Sequence, residues 1–156
     1  MRPFLHRLKN GSAQKHKQNA DHREKRPLIN KRMRERRPGM GRLTTHVLDT
    51  AKGCPAAGIR IELHRFGNGH DDMVAEAVTN VDGRTDSPML EGASFKPGQY
   101  QLVFHAGDYF DASGTELPDP KFLDQVVIRF GISDGQAHYH VPLLLSPFGY
   151  STYRGS

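Results

Sequence analysis

The 156-residue chain is poor in most of the features that mark a specialised class. It has one cysteine and no tryptophan. A single Cys54 can form no intramolecular disulfide and no CxxC zinc half-site, so a disulfide scaffold and a cysteine-rich metal fold are both excluded. The longest apolar run, Val141 to Leu145, is interrupted by Pro142. It falls far short of the roughly 18–20 residues needed to cross a bilayer. The basic amino terminus is not followed by an apolar core, so no secretory signal is expected. Gly92, Gly98 and Gly107 are scattered and match no phosphate-binding loop. There is no long stretch of 3.6-residue periodicity, which excludes a doubly wound sheet for want of crossover helices. No Ser-His-Asp order, HExxH run or nucleophile elbow occurs. Cys54 lies in a turn of small residues and reads as non-nucleophilic. A lone thiol fits a reducing compartment, and the cytoplasm is expected. A peroxisome is the second choice: Arg7-Leu8, five residues and Gln14 begin an amino-terminal signal that Lys15 then spoils.

The charge is divided unevenly. Residues 1–40 carry 13 Lys+Arg against 3 Asp+Glu, and residues 41–156 carry 9 against 14. The tail is almost devoid of aromatic and β-branched residues, so it cannot bury enough apolar surface to offset its ordering entropy. It is expected to be disordered and dispensable, with Met40 as an alternative start. Residues 41–156 are then the folded domain. Phosphate attraction by the tail remains an alternative, but nucleic acid is not the expected partner.

The body reads as all-β. Leu43–Asp49 is short and β-branched. Ile59–Phe66 alternates, with Ile59, Ile61 and Leu63 on one face and Arg60, Glu62 and His64 on the other. Gly67-Asn68-Gly69 turns the chain and Met73–Thr79 returns. Asp82-Gly83 marks another turn. Gly98–His105, Val126–Ile132 and His138–Leu145 complete the set, and a two-sheet sandwich or barrel follows from this spacing. At most one short helix is expected, at Asp119–Leu123 or near Asp108–Ala112.

Six histidines lie in the body. His138 and His140, two apart on a strand, project from one face. They can be zinc ligands, an acid–base pair or solvated side chains, and zinc would need a third ligand. His46 shares a strand face with Thr44 and Leu48. Arg84 follows the Asp-Gly turn, where most arginines are simply solvated. The last residues, Phe148 to Ser156, are aromatic where termini are usually polar and frayed, which predicts that they pack against something.

Three segments carry a family resemblance: Thr45–Asp49 (THVLD) with Gly53–Ala56 (GCPA), Asp82–Arg84 (DGR), and above all His138–Ser156 (HYHVPLLLSPFGYSTYRGS). Gly98–Tyr100 and Gly107–Phe110 agree with it. Together they resemble the transthyretin-related 5-hydroxyisourate hydrolases over Leu43 to Ser156. The resemblance implies a transthyretin-like sandwich of two four-stranded sheets, and a homotetramer built as a dimer of dimers with active sites in the clefts between dimers. It implies His46, Arg84 and His140 as catalytic residues, and Tyr153 and Ser156 as further substrate-binding residues beside His46 and Arg84. His138 belongs to the family pattern without a catalytic role assigned. No metal and no cofactor is expected.

The implied reaction opens the ring of 5-hydroxyisourate with water, giving 2-oxo-4-hydroxy-4-carboxy-5-ureidoimidazoline in urate breakdown. Such chemistry needs a base, a proton source and a cation for the developing oxyanion. Two histidines and an arginine can supply all three. The competing readings are a carrier of small hydrophobic ligands, a nucleic-acid module driven by the tail, and a zinc sandwich using His138 and His140.

Overall fold

The computed structural model describes residues 41–67 and 69–155. The expectations made for the tail at 1–40, for Asn68 within its turn and for Ser156 lie outside the described residues. In chain order the strands are β1 (Arg42–Thr44), β2 (Val47–Asp49), β3 (Cys54–Pro55), β4 (Arg60–Gly67), β5 (His70–Val78), β6 (Leu90–Glu91) and β7 (Gly98–His105). Helix α1 (Ala106–Ala112) follows, then β8 (Gln125–Ile132), β9 (His138–His140), β10 (Leu143–Ser146) and β11 (Gly149–Thr152).

One layer is an antiparallel sheet in the order β5-β4-β7-β8. Its core face carries the predicted alternation: Ile59, Ile61, Leu63, Tyr100, Leu102 and Phe104 are all fully buried. The other layer consists of two short sheets, β6-β1-β9 and β11-β10-β2-β3. These continue one another. β1 pairs parallel with β9 as Thr44 with His140, and β2 pairs parallel with β10 as Val47 with Leu143, in one unbroken register. The ladder bonds from Val141 N to Thr44 O and from Leu143 N to His46 O run across the gap. The interruption falls at Pro142, which has no N–H to donate. Two strands, each broken once, thus carry the second layer of the sandwich, with Leu43, Val47, Tyr139, Val141, Leu143 and Leu145 turned into the core.

The helix is α1, where Tyr109 and Phe110 are buried and the Tyr109 hydroxyl donates to Asp49 Oδ2 at 2.8 Å. Asp119–Leu123, the other candidate, is not helical. β5 begins three residues earlier than predicted, because His70-Asp71-Asp72 lies on an exposed edge strand and needs no apolar face. The short strands β3, β6 and β11 were not predicted. No helix among the described residues is long and apolar enough to cross a membrane.

Candidate active site

The site grows out of the broken strand pair. Leu43, Thr45, Val47 and Asp49 point into the core, which leaves Thr44, His46 and Leu48 half-buried on the opposite face. On the neighbouring strand Tyr139 is buried, and His138 and His140 emerge beside that same face. Parallel register sets Thr44 against His140 and Arg42 against His138.

Arg84 arrives from a separate turn. Asn80 organises it: its side-chain oxygen accepts from the N–H groups of Asp82 and Arg84, and its carbonyl accepts from Gly83. Gly83 has φ of 70°, and a Cβ there would lie 2.3 Å from the Val47 carbonyl oxygen, so only glycine fits. The Gly83 carbonyl in turn accepts from Val47 N, and an antiparallel bridge joins His46 to Arg84. The predicted turn therefore docks Arg84 beside His46.

The polar groups meet closely. His46 Nδ1 is 2.7 Å from His140 Nε2. The Thr44 hydroxyl is 2.8 Å from His140 Nδ1 and 2.9 Å from His138 Nε2. A cavity of about 440 Å³ opens here, with Arg42, Thr44, Arg84, Asp86, His138 and His140 on its wall. His46 adjoins it through His140 and Arg84. Burial lowers all three histidine pKa values. His140 falls from 6.5 to about 4, with further lowering from His46, Arg84 and His138. His46 is lowered by burial and then by Arg84, and His138 by burial and then by Arg42. The surroundings therefore favour the neutral form of all three rings. They meet nitrogen to nitrogen, directly or through Thr44, and do not converge on one point. Among the described residues there is no cluster of three or more His, Cys, Asp or Glu fit to hold a metal.

The structure thus brings together His46, Arg84 and His140, and adds His138. It places Tyr153 elsewhere. That ring is 56% exposed and lines a second cavity of about 230 Å³ with Ile128, Phe130, Tyr139, Thr152 and Arg154. The chain end nevertheless returns to the site: Gly155 N donates to His140 O at 2.8 Å, and His140 N to Gly155 O at 3.3 Å. Ser156 follows directly but lies outside the described residues. Sequence reasoning missed Thr44, Asn80, Gly155 and Arg42. For Thr44 a signal existed, since it shares a strand face with His46.

Known proteins agree with this architecture. The HIUase/Transthyretin family profile matches residues 43–155. The 5-hydroxyisourate hydrolase of Pseudomonas aeruginosa is 62% identical over 117 residues, which are 75% of this chain and 93% of that protein. Among solved structures, Klebsiella pneumoniae 5-hydroxyisourate hydrolase superimposes with a TM-score of 0.63 at 36% identity, covering 75% of this chain and all of that one. An (S)-allantoin synthase gives a TM-score of 0.72 at 50% identity over 74% of this chain, which spans only 44% of the synthase chain. The two-sheet sandwich, the His46–Arg84–His140 grouping and the match across nearly the whole described body lead to one assignment: this chain belongs to the HIUase/transthyretin family.

Proposed function

We propose that this protein hydrolyses 5-hydroxyisourate, as the names of its Pseudomonas and Klebsiella relatives say of them, and that the product is 2-oxo-4-hydroxy-4-carboxy-5-ureidoimidazoline in urate degradation. The observation that carries the reading is the 2.7 Å contact of two imidazoles docked beside an exposed arginine at an open cavity. His46 and His140 together activate water and return a proton to the leaving nitrogen. Arg84 is exposed, and its planar fork holds the urate-like anion and the oxyanion that forms on attack. The mechanism we propose is direct attack by water, with no covalent intermediate, metal or cofactor. A wall of arginines and imidazoles suits a polar heterocycle, whereas a carrier of hydrophobic ligands needs an apolar one.

The substrate-binding set extends in this reading to Tyr153 and Ser156, supplied across a subunit boundary in a homotetramer made of two dimers. Large exposed apolar side chains favour such an assembly. Phe122 and Phe148 are 71% and 65% exposed with ring centroids 6.3 Å apart, and Tyr150 is 48% exposed. The half-exposed thiol of Cys54 suits a reducing compartment, and we place the protein in the cytoplasm. The test is direct. Urate oxidase generates 5-hydroxyisourate, the protein is added, and loss of the ultraviolet absorbance is followed. Decay no faster than the spontaneous rate overturns the reading.

A further inference from the structure

His140 has no nitrogen to spare. Its Nε2 is engaged by His46 and its Nδ1 by the Thr44 hydroxyl, so it cannot itself take a proton from water. The Thr44 hydroxyl also reaches His138 Nε2, and four groups stand in one row: His46, His140, Thr44, His138. A neutral imidazole carries one donor and one acceptor nitrogen, and a hydroxyl donates once while accepting. With the hydroxyl proton used inside it, the row can be filled without conflict in two ways. In the first, His46 Nδ1–H donates to His140, His140 Nδ1–H to Thr44, and the Thr44 hydroxyl to His138. His46 Nε2 is then bare and His138 Nδ1 carries hydrogen. In the second every bond is reversed, and the hydrogen is at His46 Nε2. Those two outer nitrogens have no hydrogen-bond partner among the described residues. The His46 end lies beside Arg84 and the His138 end beside Arg42.

We propose that this row is a proton relay for the hydrolysis, with His46 Nε2 as the nitrogen facing the attacking water, Thr44 as the link and His138 as the outlet. The proposal rests on the hydrolase reading above. As the water oxygen bonds to the ring carbonyl carbon, its O–H bond breaks and the proton goes to His46 Nε2. One proton shifts at each bond along the row, and His138 Nδ1 releases one to solvent. When the C–N bond breaks, its electron pair stays on the leaving nitrogen, which takes the proton from His46 Nε2. The row shifts back, and His138 Nδ1 takes a proton from solvent. Relay and solvent end as they began, and neither resting order contains an imidazolium. The lowered pKa values of the three rings fit this requirement. Thr44 and His138 act through His46 and are positioning residues.

The experiment measures single-turnover hydrolysis with enzyme in excess over freshly generated 5-hydroxyisourate. Thr44→Val keeps the shape and removes the link, and should slow the chemical step about tenfold or more with KM little changed. Thr44→Ser should restore most of the rate. His138→Ala should slow the step by a similar factor, and the Thr44→Val/His138→Ala double variant should be no slower than either single change, since both cut one path. The solvent-deuterium proton inventory should be bowed for the wild type and linear for Thr44→Val. Wild-type rates in Thr44→Val, no rescue by Ser, or additive losses in the double variant would overturn the relay. Should Thr44→Val fail to fold, His138→Ala decides alone, and a wild-type rate there overturns it. An inactive wild-type protein would instead count against the hydrolase reading.

Discussion

His46 and His140 meet edge to edge. Their ring planes are inclined by only 23°, the centroids are 4.8 Å apart, and one ring nitrogen of each lies 2.7 Å from the other. That separation is what two nearly coplanar rings joined by a linear N–H···N bond produce, and it is not face-to-face stacking. One nitrogen of the pair must donate and the other accept, so a second proton on either ring disturbs both.

This coupling sets the pH dependence. Burial and the Arg84 guanidinium both favour the neutral rings, and protonation is pushed below the ordinary value of 6.5. The acid limb of kcat/KM for the wild type should therefore lie below pH 6.5 and belong to the pair as a unit. Arg84→Met removes the cation, raises the pKa of both rings and should move the acid limb to higher pH, besides lowering the rate. A pH–rate profile of the two proteins measures this. An unmoved or more acidic limb would show that Arg84 does not act on the pair.

Gly155 is the least expected residue of the site. A Cβ placed on it would lie 3.1 Å from both Cβ and Cδ2 of His140. Gly155→Ala must push the imidazole away from His46 and Thr44 or break the backbone pairing that holds the chain end. Misplacement of a catalytic group by a fraction of an ångström to an ångström costs about 10- to 100-fold. We expect a loss in that range in kcat/KM with the thermal midpoint almost unchanged, because Gly155 is not part of the core. A fully active Gly155→Ala protein would mean that the ring has room to move.

Much of this was legible in the sequence. The alternation of Ile59, Ile61 and Leu63 could only be a strand with one buried face, and the same two-residue rule put His46 with Thr44 and His138 with His140. The Asp-Gly turn announced itself through Gly83. What stayed hidden were relations between distant segments. The offset that sets Thr44 against His140 is a property of parallel pairing, which no local pattern encodes. The edge strand at His70–Val78 was read short, because an edge exposed on both sides has no apolar alternation to reveal it. The terminal aromatics were expected to be packed. Tyr150 and Tyr153 are about half exposed, so any cover must come from outside the described residues.

Substitution of the three proposed catalytic residues separates chemistry from folding. His46, Arg84 and His140 lie on the outward side of their strands or on a turn, so none supports the core. Alanine at each should lower turnover by about 10²–10⁴, the usual contribution of a positioned acid, base or oxyanion cation. Unfolding temperatures should change little. His140→Ala cuts the row at its centre and should lose more than His138→Ala at its end. Wild-type turnover in folded His140→Ala would remove that residue from the mechanism.

The two ends of the chain should respond in opposite ways. The family match covers residues 43–155 and does not include the basic tail. Deletion of residues 1–39 should leave fold, assembly and hydrolysis intact. The carboxyl end is different, because among the described residues β11 pairs only with β10 and the last of them is stitched to the backbone of His140. Removing Tyr153–Ser156 deletes both hydrogen bonds between Gly155 and His140 and strips aromatic surface, worth roughly 25 cal/mol per Å² when a neighbouring subunit covers it. A tag fused after Ser156 instead adds chain directly after the residue that is paired with His140. Both changes should depress activity on 5-hydroxyisourate far more than the amino-terminal deletion does, and the carboxyl-terminal deletion should also lower the mass seen by light scattering. Equal activity in all three proteins would make the terminus an ordinary surface segment and take Tyr153 and Ser156 out of the proposed site. Loss of activity on deleting residues 1–39 alone would give the tail a role that its composition does not suggest.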